Sequence, residues 1–163
     1  MWTLMDSPVG ELRIVEQDGA ITAIEFTPFR EHDGRPRGAR ADDQPVLVEA
    51  VRQLRAYFDR DLKEFDLPLA PAGSDFAKAV WQQLLGIGYG DTASYGEIAR
   101  RLGRSNAASR AVGLANGSNP IPIVIPCHRV IGADGSLTGF GGGMERKQFL
   151  LDLERSPLSL ASS

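Results

Sequence analysis

Apolar and polar positions alternate along residues 2–26, with Leu12 and Ile14 in one run and Ile21 and Ala23 in the next. A period of two puts such residues on one face of a β-strand. Asp18-Gly19 between the runs predicts a hairpin, because a two-residue hairpin turn needs residues that tolerate positive φ. Phe26-Thr27-Pro28 closes the second strand. Residues 30–44 are charged and hold Gly34, Pro36 and Gly38, which predicts a surface loop. Pro45 suits the first turn of a helix. Val48, Val51, Leu54, Tyr57 and Phe58 give that helix an apolar stripe ending near Arg60. Residues 66–73 hold Pro68, Pro71 and Gly73 and read as a linker. The expected domains are therefore 1–70 and 74–157.

Beyond the linker the period changes to that of helices. Ser74 is placed to cap a helix from Asp75 to about Leu85, with Phe76, Val80 and Leu84 on one face. Gly86, Gly88 and Gly90 end it. Ser94 starts a short helix that stops at Gly103, and Asn106 starts another that runs to about Asn116. Helix, short glycine-containing turn, helix is the helix-turn-helix pattern. A short strand follows Cys127, then an Asp134-Gly135 turn and the run Gly139-Phe140-Gly141-Gly142-Gly143. A last helix is expected from Met144 to about Arg155, with Phe149, Leu150 and Leu153 inward. Strands first and helices afterwards predict an α+β chain.

Composition narrows the class. Apolar residues make up 42% of the 163 positions, enough for a real core. The single cysteine rules out an internal disulfide and suits a reducing cytosol, so a cytoplasmic location is expected. No basic-then-apolar signal segment opens the chain, and no apolar run approaches the ~20 residues of a membrane span. Net charge is −3, which alone disfavours nucleic acid. The distribution says more. Residues 1–73 carry nine basic and fourteen acidic side chains (−5), whereas residues 74–130 carry six basic and three acidic (+3). Arg100, Arg101, Arg104 and Arg110 crowd into that second segment. They form either a solvated helix face or a patch that attracts phosphate within a Debye length of roughly 8–10 Å.

Candidate chemistry gathers around Cys127. It follows the β-branched run Ile123-Val124-Ile125, is preceded by Pro126 and is followed by His128. A cysteine attacks as thiolate and needs a base or a depressed pKa. In an extended chain Cys127 and His128 point to opposite faces, so they cooperate only if the backbone bends or a water bridges them. Glu154, on the apolar final helix, is a candidate to orient the imidazole. The bland reading is an inert buried thiol beside a structural histidine. The second helix of the pair, Ala107 to Asn116, is built mostly of small residues. Few of them could read base edges in a wide major groove, but small residues let a backbone approach a groove about 6 Å wide. Arg110 is the one long cation on it. Tight helix–helix packing is the alternative.

Pro126-Cys127-His128-Arg129-Val130, preceded by Arg110-Ala111-Val112-Gly113 and Asn119-Pro120, resembles the signature of the O6-alkylguanine-DNA alkyltransferases, the methylated-DNA–protein-cysteine methyltransferases. The resemblance is close from Ser74 to Arg155 and looser before that. It implies a small N-terminal antiparallel sheet with a helix (ribonuclease H-like) and a mostly helical C-terminal domain of winged helix-turn-helix type. It implies a DNA-repair protein that moves the alkyl group of O6-methylguanine, and less well of O4-methylthymine, onto its own cysteine, once and irreversibly. Carried over, Cys127 is the acceptor, His128 its base through a water, and Glu154 the acid that orients His128. Asn119 braces the turn, and Tyr95 donates to the base and crowds the phosphate.

The same resemblance implies that Arg110 fills the gap left by a flipped nucleotide. Ala107, Ala108, Ala111, Gly113, Ala115 and Asn116 would line the minor groove of double-stranded DNA. Pro122, Val130, Phe140 and Gly141 would form the base pocket, read by the Gly141 amide and the Cys127 and Val130 carbonyls. Phe140 stands where some members have tyrosine, and Gly141 is expected to leave room for alkyl groups larger than methyl. No cofactor is implied, and one Cys with two His leaves no ligand set for a metal. A monomer is implied, with cooperative binding along DNA left open. The rivals are a cysteine hydrolase, a lesion binder that does no chemistry, and a helix-turn-helix regulator.

Overall fold

The hairpin forms where the Asp18-Gly19 pair asks for it. In the computed structural model, which describes residues 1–30, 33–137 and 140–155, both turn residues have positive φ (53° and 81°). β2 (Leu12–Gln17) and β3 (Ala20–Phe26) pair antiparallel across that turn, and β1 (Trp2–Met5) adds to the far edge of β2, giving the order β1-β2-β3. A bulge between Val15 and Glu16 shifts the register of β2 on β3. The helix α1 (Pro45–Phe58) packs on this sheet, with Pro45 in its first turn and Gln44 capping the Leu47 amide. The mixed α+β class is as the pattern predicts.

Two details of this region differ from the expectation. The buried side of α1 is Leu47, Ala50, Gln53, Leu54 and Tyr57, whereas Val48 is half exposed. Gln53 is drawn inward because its amide bonds both the N–H and the C=O of Asp66. Nor is 66–73 a free tether. The Ile21 amide donates to the Pro68 carbonyl and the Ala70 amide donates to the Ile21 carbonyl, so its first half lies along β3.

The chain divides into two compact units, and the division is not a simple cut. Met1–Gly73 takes Pro120–Val124 into its own cluster, where the Ile24 amide donates to the Pro120 carbonyl. Ser74–Asn119 and the chain from Ile125 onward form the second unit. There α2 (Asp75–Leu84), α3 (Tyr95–Arg101) and α4 (Ser109–Gly117) pack on one another. Ser74 caps α2, and Ser94 with Glu97 forms a full capping box on α3. Trp81 Nε1 donates to the Ala115 carbonyl (2.8 Å), tying α2 to the last turn of α4. β4 (Ala93–Ser94) pairs in parallel with β5 (Val130–Ile131), and α5 (Met144–Arg155) packs on the 3-10 turn Cys127–Arg129. Phe149, expected inward, is partly exposed. Gly139 lies outside the described residues. No helix among the described residues is long and apolar enough to cross a membrane.

Candidate active site

The bend that Cys127 and His128 require is present. Cys127–Arg129 forms a single 3-10 turn, so the chain does not run extended through the pair. Asn119, at the end of α4, holds this turn from one side. Its Nδ2 donates to the Ile125 carbonyl (2.8 Å), and its side chain also hydrogen-bonds the Cys127 sulfur. From the other side α5 presents Glu154. Its Oε2 lies 2.7 Å from His128 Nε2, and Arg129 clamps both carboxylate oxygens, Nε to Oε1 at 2.8 Å and the second nitrogen to Oε2 at 3.0 Å. Arg129 is itself anchored on the Ile87 carbonyl (2.6 Å).

The protonation states follow from this geometry. Burial alone would raise the Glu154 pKa, but the hydrogen bonds from His128 and Arg129 outweigh it and hold the carboxyl at about 2. Glu154 is therefore an acceptor only. Burial pushes the His128 pKa below its ordinary value, so the imidazole is neutral at pH 7. A neutral imidazole beside a carboxylate keeps its proton on Nε2. Its lone pair is then on Nδ1, a buried atom with no hydrogen-bond partner among the described residues. Burial pushes the Cys127 thiol up to about 11, against the opposing pull of Asn119 and Lys147. Deprotonating it at neutral pH costs on the order of 5 kcal/mol without help. Cys127 is 3% exposed, so a reactant has to be delivered to its sulfur.

Two residues of this cluster escaped sequence reading. Arg129 stood in the motif without a role. Lys147 is fully buried, and its Nζ donates to the Val130 carbonyl at 2.6 Å. Burial lowers its pKa to about 8, with the charge on Cys127 the counterweight. The signal was there: positions 147, 150, 151 and 154 recur at helical spacing and all four are buried on α5.

The helix expected to meet DNA has two faces. Ala107, Arg110 and Ala111 are exposed, and Ala108 is half-buried. The Arg110 side chain makes no hydrogen bond, ion pair or ring contact with any described residue. Ala115 and Asn116, expected on the groove face, are instead buried. They follow Val112 onto the inner stripe, where Ala115 receives Trp81 and Asn116 Nδ2 donates to the Cys127 carbonyl (3.2 Å). Gly113 is half-buried because the Tyr95 ring lies against it, 3.7 Å from where a Cβ would stand. The other arginines are not equivalent to Arg110: Arg100 bonds Asn106 Oδ1 (2.7 Å), and Arg104 stacks on Phe76.

Two of the expected base-pocket groups make close contacts of their own. Gly141 does not border open space toward α4, since a Cβ there would meet the Gly117 carbonyl at 3.2 Å. Its small size serves close backbone approach. The Cys127 carbonyl accepts from the Val130 amide and from Asn116 Nδ2, so a base reading it would share that oxygen with them. Phe140 and Val130 are buried in the second unit, and Pro122 is buried in the segment that joins the first unit. No cluster of metal-ligating side chains occurs among the described residues.

A thiol held by an asparagine beside a carboxylate-oriented histidine, in a unit that also carries a helix pair, defines a cysteine-dependent protein with a nucleic-acid face. The family model described as 6-O-methylguanine DNA methyltransferase, DNA binding domain, matches residues 75–156, and that for the ribonuclease-like domain of the same family matches residues 1–71. A methylated-DNA–protein-cysteine methyltransferase of Mycolicibacterium paratuberculosis is 50% identical over 158 residues, covering 96% of this chain and 94% of its own length. One from Methanosarcina acetivorans is 44% identical over 155 residues, covering 95% and 98%. The crystal structure of Mycobacterium tuberculosis OGT in complex with DNA is similar with a TM-score of 0.85 at 48% identity, covering 95% of this chain and 92% of that one. The chain belongs to the methylated-DNA–protein-cysteine methyltransferase family: it is a DNA-binding repair enzyme that transfers a methyl group to a cysteine.

Proposed function

We propose that the chain removes the alkyl group from O6 of guanine in duplex DNA, and less well from O4 of thymine, and keeps it on Cys127, one group per molecule. The observation that supports this most is the buried pair His128–Glu154 at 2.7 Å, with an unpartnered Nδ1 in the same turn as the thiol. In this reading a water carries the thiol proton to Nδ1. The sulfur attacks the methyl carbon, a sulfur–carbon bond forms, and the carbon–oxygen bond breaks with its electron pair left on the base. The Tyr95 hydroxyl supplies the proton that neutralises the departing purine, and the proton held on His128 then returns through solvent to the Tyr95 phenolate, so that the thiol proton ends on guanine. The imidazolium is stabilised by Glu154, and Arg129 keeps Glu154 ionised. The thioether has no second cysteine to resolve it, so the reaction ends there.

A base within the stack is out of reach of a thiol on a buried residue. The nucleotide is therefore flipped out, with the exposed face of α4 in the minor groove and Arg110 in the gap. A monomer suffices for this. Mass spectrometry after mixing with an O6-methylguanine duplex tests the reading. One methyl on Cys127, stoichiometric with guanine restored and absent from Cys127→Ser, is the expected result. A free thiol after many turnovers would identify a hydrolase instead, and an unmodified Cys127 with the lesion intact would sink the proposal.

A further inference from the structure

The exposed positions along α4 and the turn before it are 106, 107, 110, 111, 114, 117 and 118, and the Asn106 side chain is already taken by Arg100. The spacing makes them one stripe of a helix. Ala107, Ala111, Gly117 and Ser118 are small. Two side chains stand out from that smooth surface: Arg110 and Leu114. Leu114 is 72% exposed, the most of any large apolar side chain among the described residues. It lies four positions after Arg110, about 6 Å further along the helix axis and on the same face. The helix cannot rotate to hide it, because Val112, Ala115 and Asn116 are locked inward by packing and by hydrogen bonds from Trp81 and to Cys127.

A single exposed leucine is ordinary on a protein surface. This one is distinguished by its place, because a groove that admits Arg110 receives Leu114 one turn later. A helix of small residues can lie deep in a narrow groove, and the isobutyl group then meets deoxyribose carbons and base edges instead of water. Proteins that enter the minor groove use leucine among other apolar wedges to open base steps.

We propose that Leu114 is a second inserted residue, an apolar wedge beside the gap that Arg110 fills, and that it supplies a salt-independent share of duplex affinity. The proposal rests on the reading of Arg110 as the residue that enters the stack. A leucine carries no charge and displaces no counterion, so its contribution does not depend on ionic strength, whereas that of Arg110 does. Having no hydrogen-bonding group, it adds no base preference.

The test compares Leu114→Ala, Leu114→Met and Arg110→Ala with the parent chain on an O6-methylguanine duplex across a salt series, with the free base O6-methylguanine as control substrate. Leu114→Ala is expected to weaken duplex binding about tenfold at every salt concentration. Its slope of log affinity on log salt should equal the parent's, with attack on the free base unchanged. Leu114→Met should bind like the parent. Arg110→Ala should lower the slope by about 0.9. If Arg110→Ala loses duplex repair while Leu114→Ala binds and repairs normally, the wedge is overturned and flipping by Arg110 stands. If neither substitution affects the duplex, the reading of Arg110 fails and takes the wedge with it. A changed salt slope in Leu114→Ala would also overturn the assignment. Leu114 is exposed, so both variants should fold, and an unchanged thermal midpoint confirms it.

Discussion

Each unit of the chain holds a carboxylate gripped by arginine, and in the reaction proposed above only one of them takes part. In the first unit Glu25 takes Arg13 at 2.8 Å and Arg37 at 2.8 and 3.1 Å, and Asp33 extends the chain of pairs through Arg37. In the second unit Glu154 takes one arginine and gives part of its remaining capacity to an imidazole. Both acids are held below the ordinary carboxylate range, because hydrogen bonds from their partners outweigh the upward push of burial. The difference lies in what comes next. Glu25 is closed off by charge on both oxygens. Glu154 passes its influence to His128, whose other nitrogen stands without a partner, one residue from a thiol. An ionic cluster becomes catalytic machinery when one group in it is left with something still to bind.

The largest expected effect sets these two acids against each other. Glu154→Gln should slow methyl transfer to duplex substrate by about a hundredfold, the range of a lost general base, whereas Glu25→Gln should leave the rate within about twofold. Single-turnover kinetics under excess protein measures both. Equal losses in the two variants would erase the distinction. The acid limb of stability gives a second readout. Glu154 has a lowered folded pKa of about 2. Its contribution is therefore full above the ordinary carboxylate pKa and is lost as pH falls through about 2. Glu154→Gln should be less sensitive to acid than the parent in that window, as followed by denaturant midpoint.

Lys147 sharpens the comparison on the alkaline side. Its folded pKa of about 8 lies below the ordinary lysine value of 10.5, so between these values the unfolded chain binds more protons and stability rises with pH. Cys127 acts oppositely from pH 9 to about 11, because its folded pKa is raised. Stability should climb between pH 8 and 9 and level off above it. In Lys147→Met the climb should vanish and a decline from pH 9 should remain. A parent and variant with parallel profiles would mean that Lys147 stays charged throughout. The smallest effect is expected at the solvated pair Arg52–Glu49 on α1, where Arg52→Ala should change neither the thermal midpoint nor the repair rate.

Features that depend on a few neighbouring residues were legible in the sequence. Asp18-Gly19 specifies its turn, Ser74 and Ser94 cap their helices, and the α5 periodicity places Glu154 inward. Features that depend on long-range partners were not. Gln53 and Lys147 are polar residues that ordinarily face solvent, yet each is buried with a backbone group it satisfies, on Asp66 and Val130, and only the helical spacing of Lys147 pointed inward. Val48 looked like core and faces solvent because the buried stripe of α1 runs through Leu47, Ala50, Leu54 and Tyr57, about 100° round the helix from it. Asn116 is likewise turned inward, by the Cys127 carbonyl. The motif named Cys127, His128 and Asn119, but only geometry shows why Arg129 belongs with them.

Pro120–Val124 leaves the second unit at Asn119 and returns at Ile125, with the Asn119 side chain fastening the two ends together. This five-residue loan has a consequence for any attempt to recombine the chain. A break at the 73/74 junction does not yield two self-sufficient halves, because the C-terminal piece carries off apolar residues that the N-terminal one needs. A hybrid that takes its first 73 residues from one relative and the rest from another therefore inherits a mismatched seam, unless the borrowed loop travels with its host.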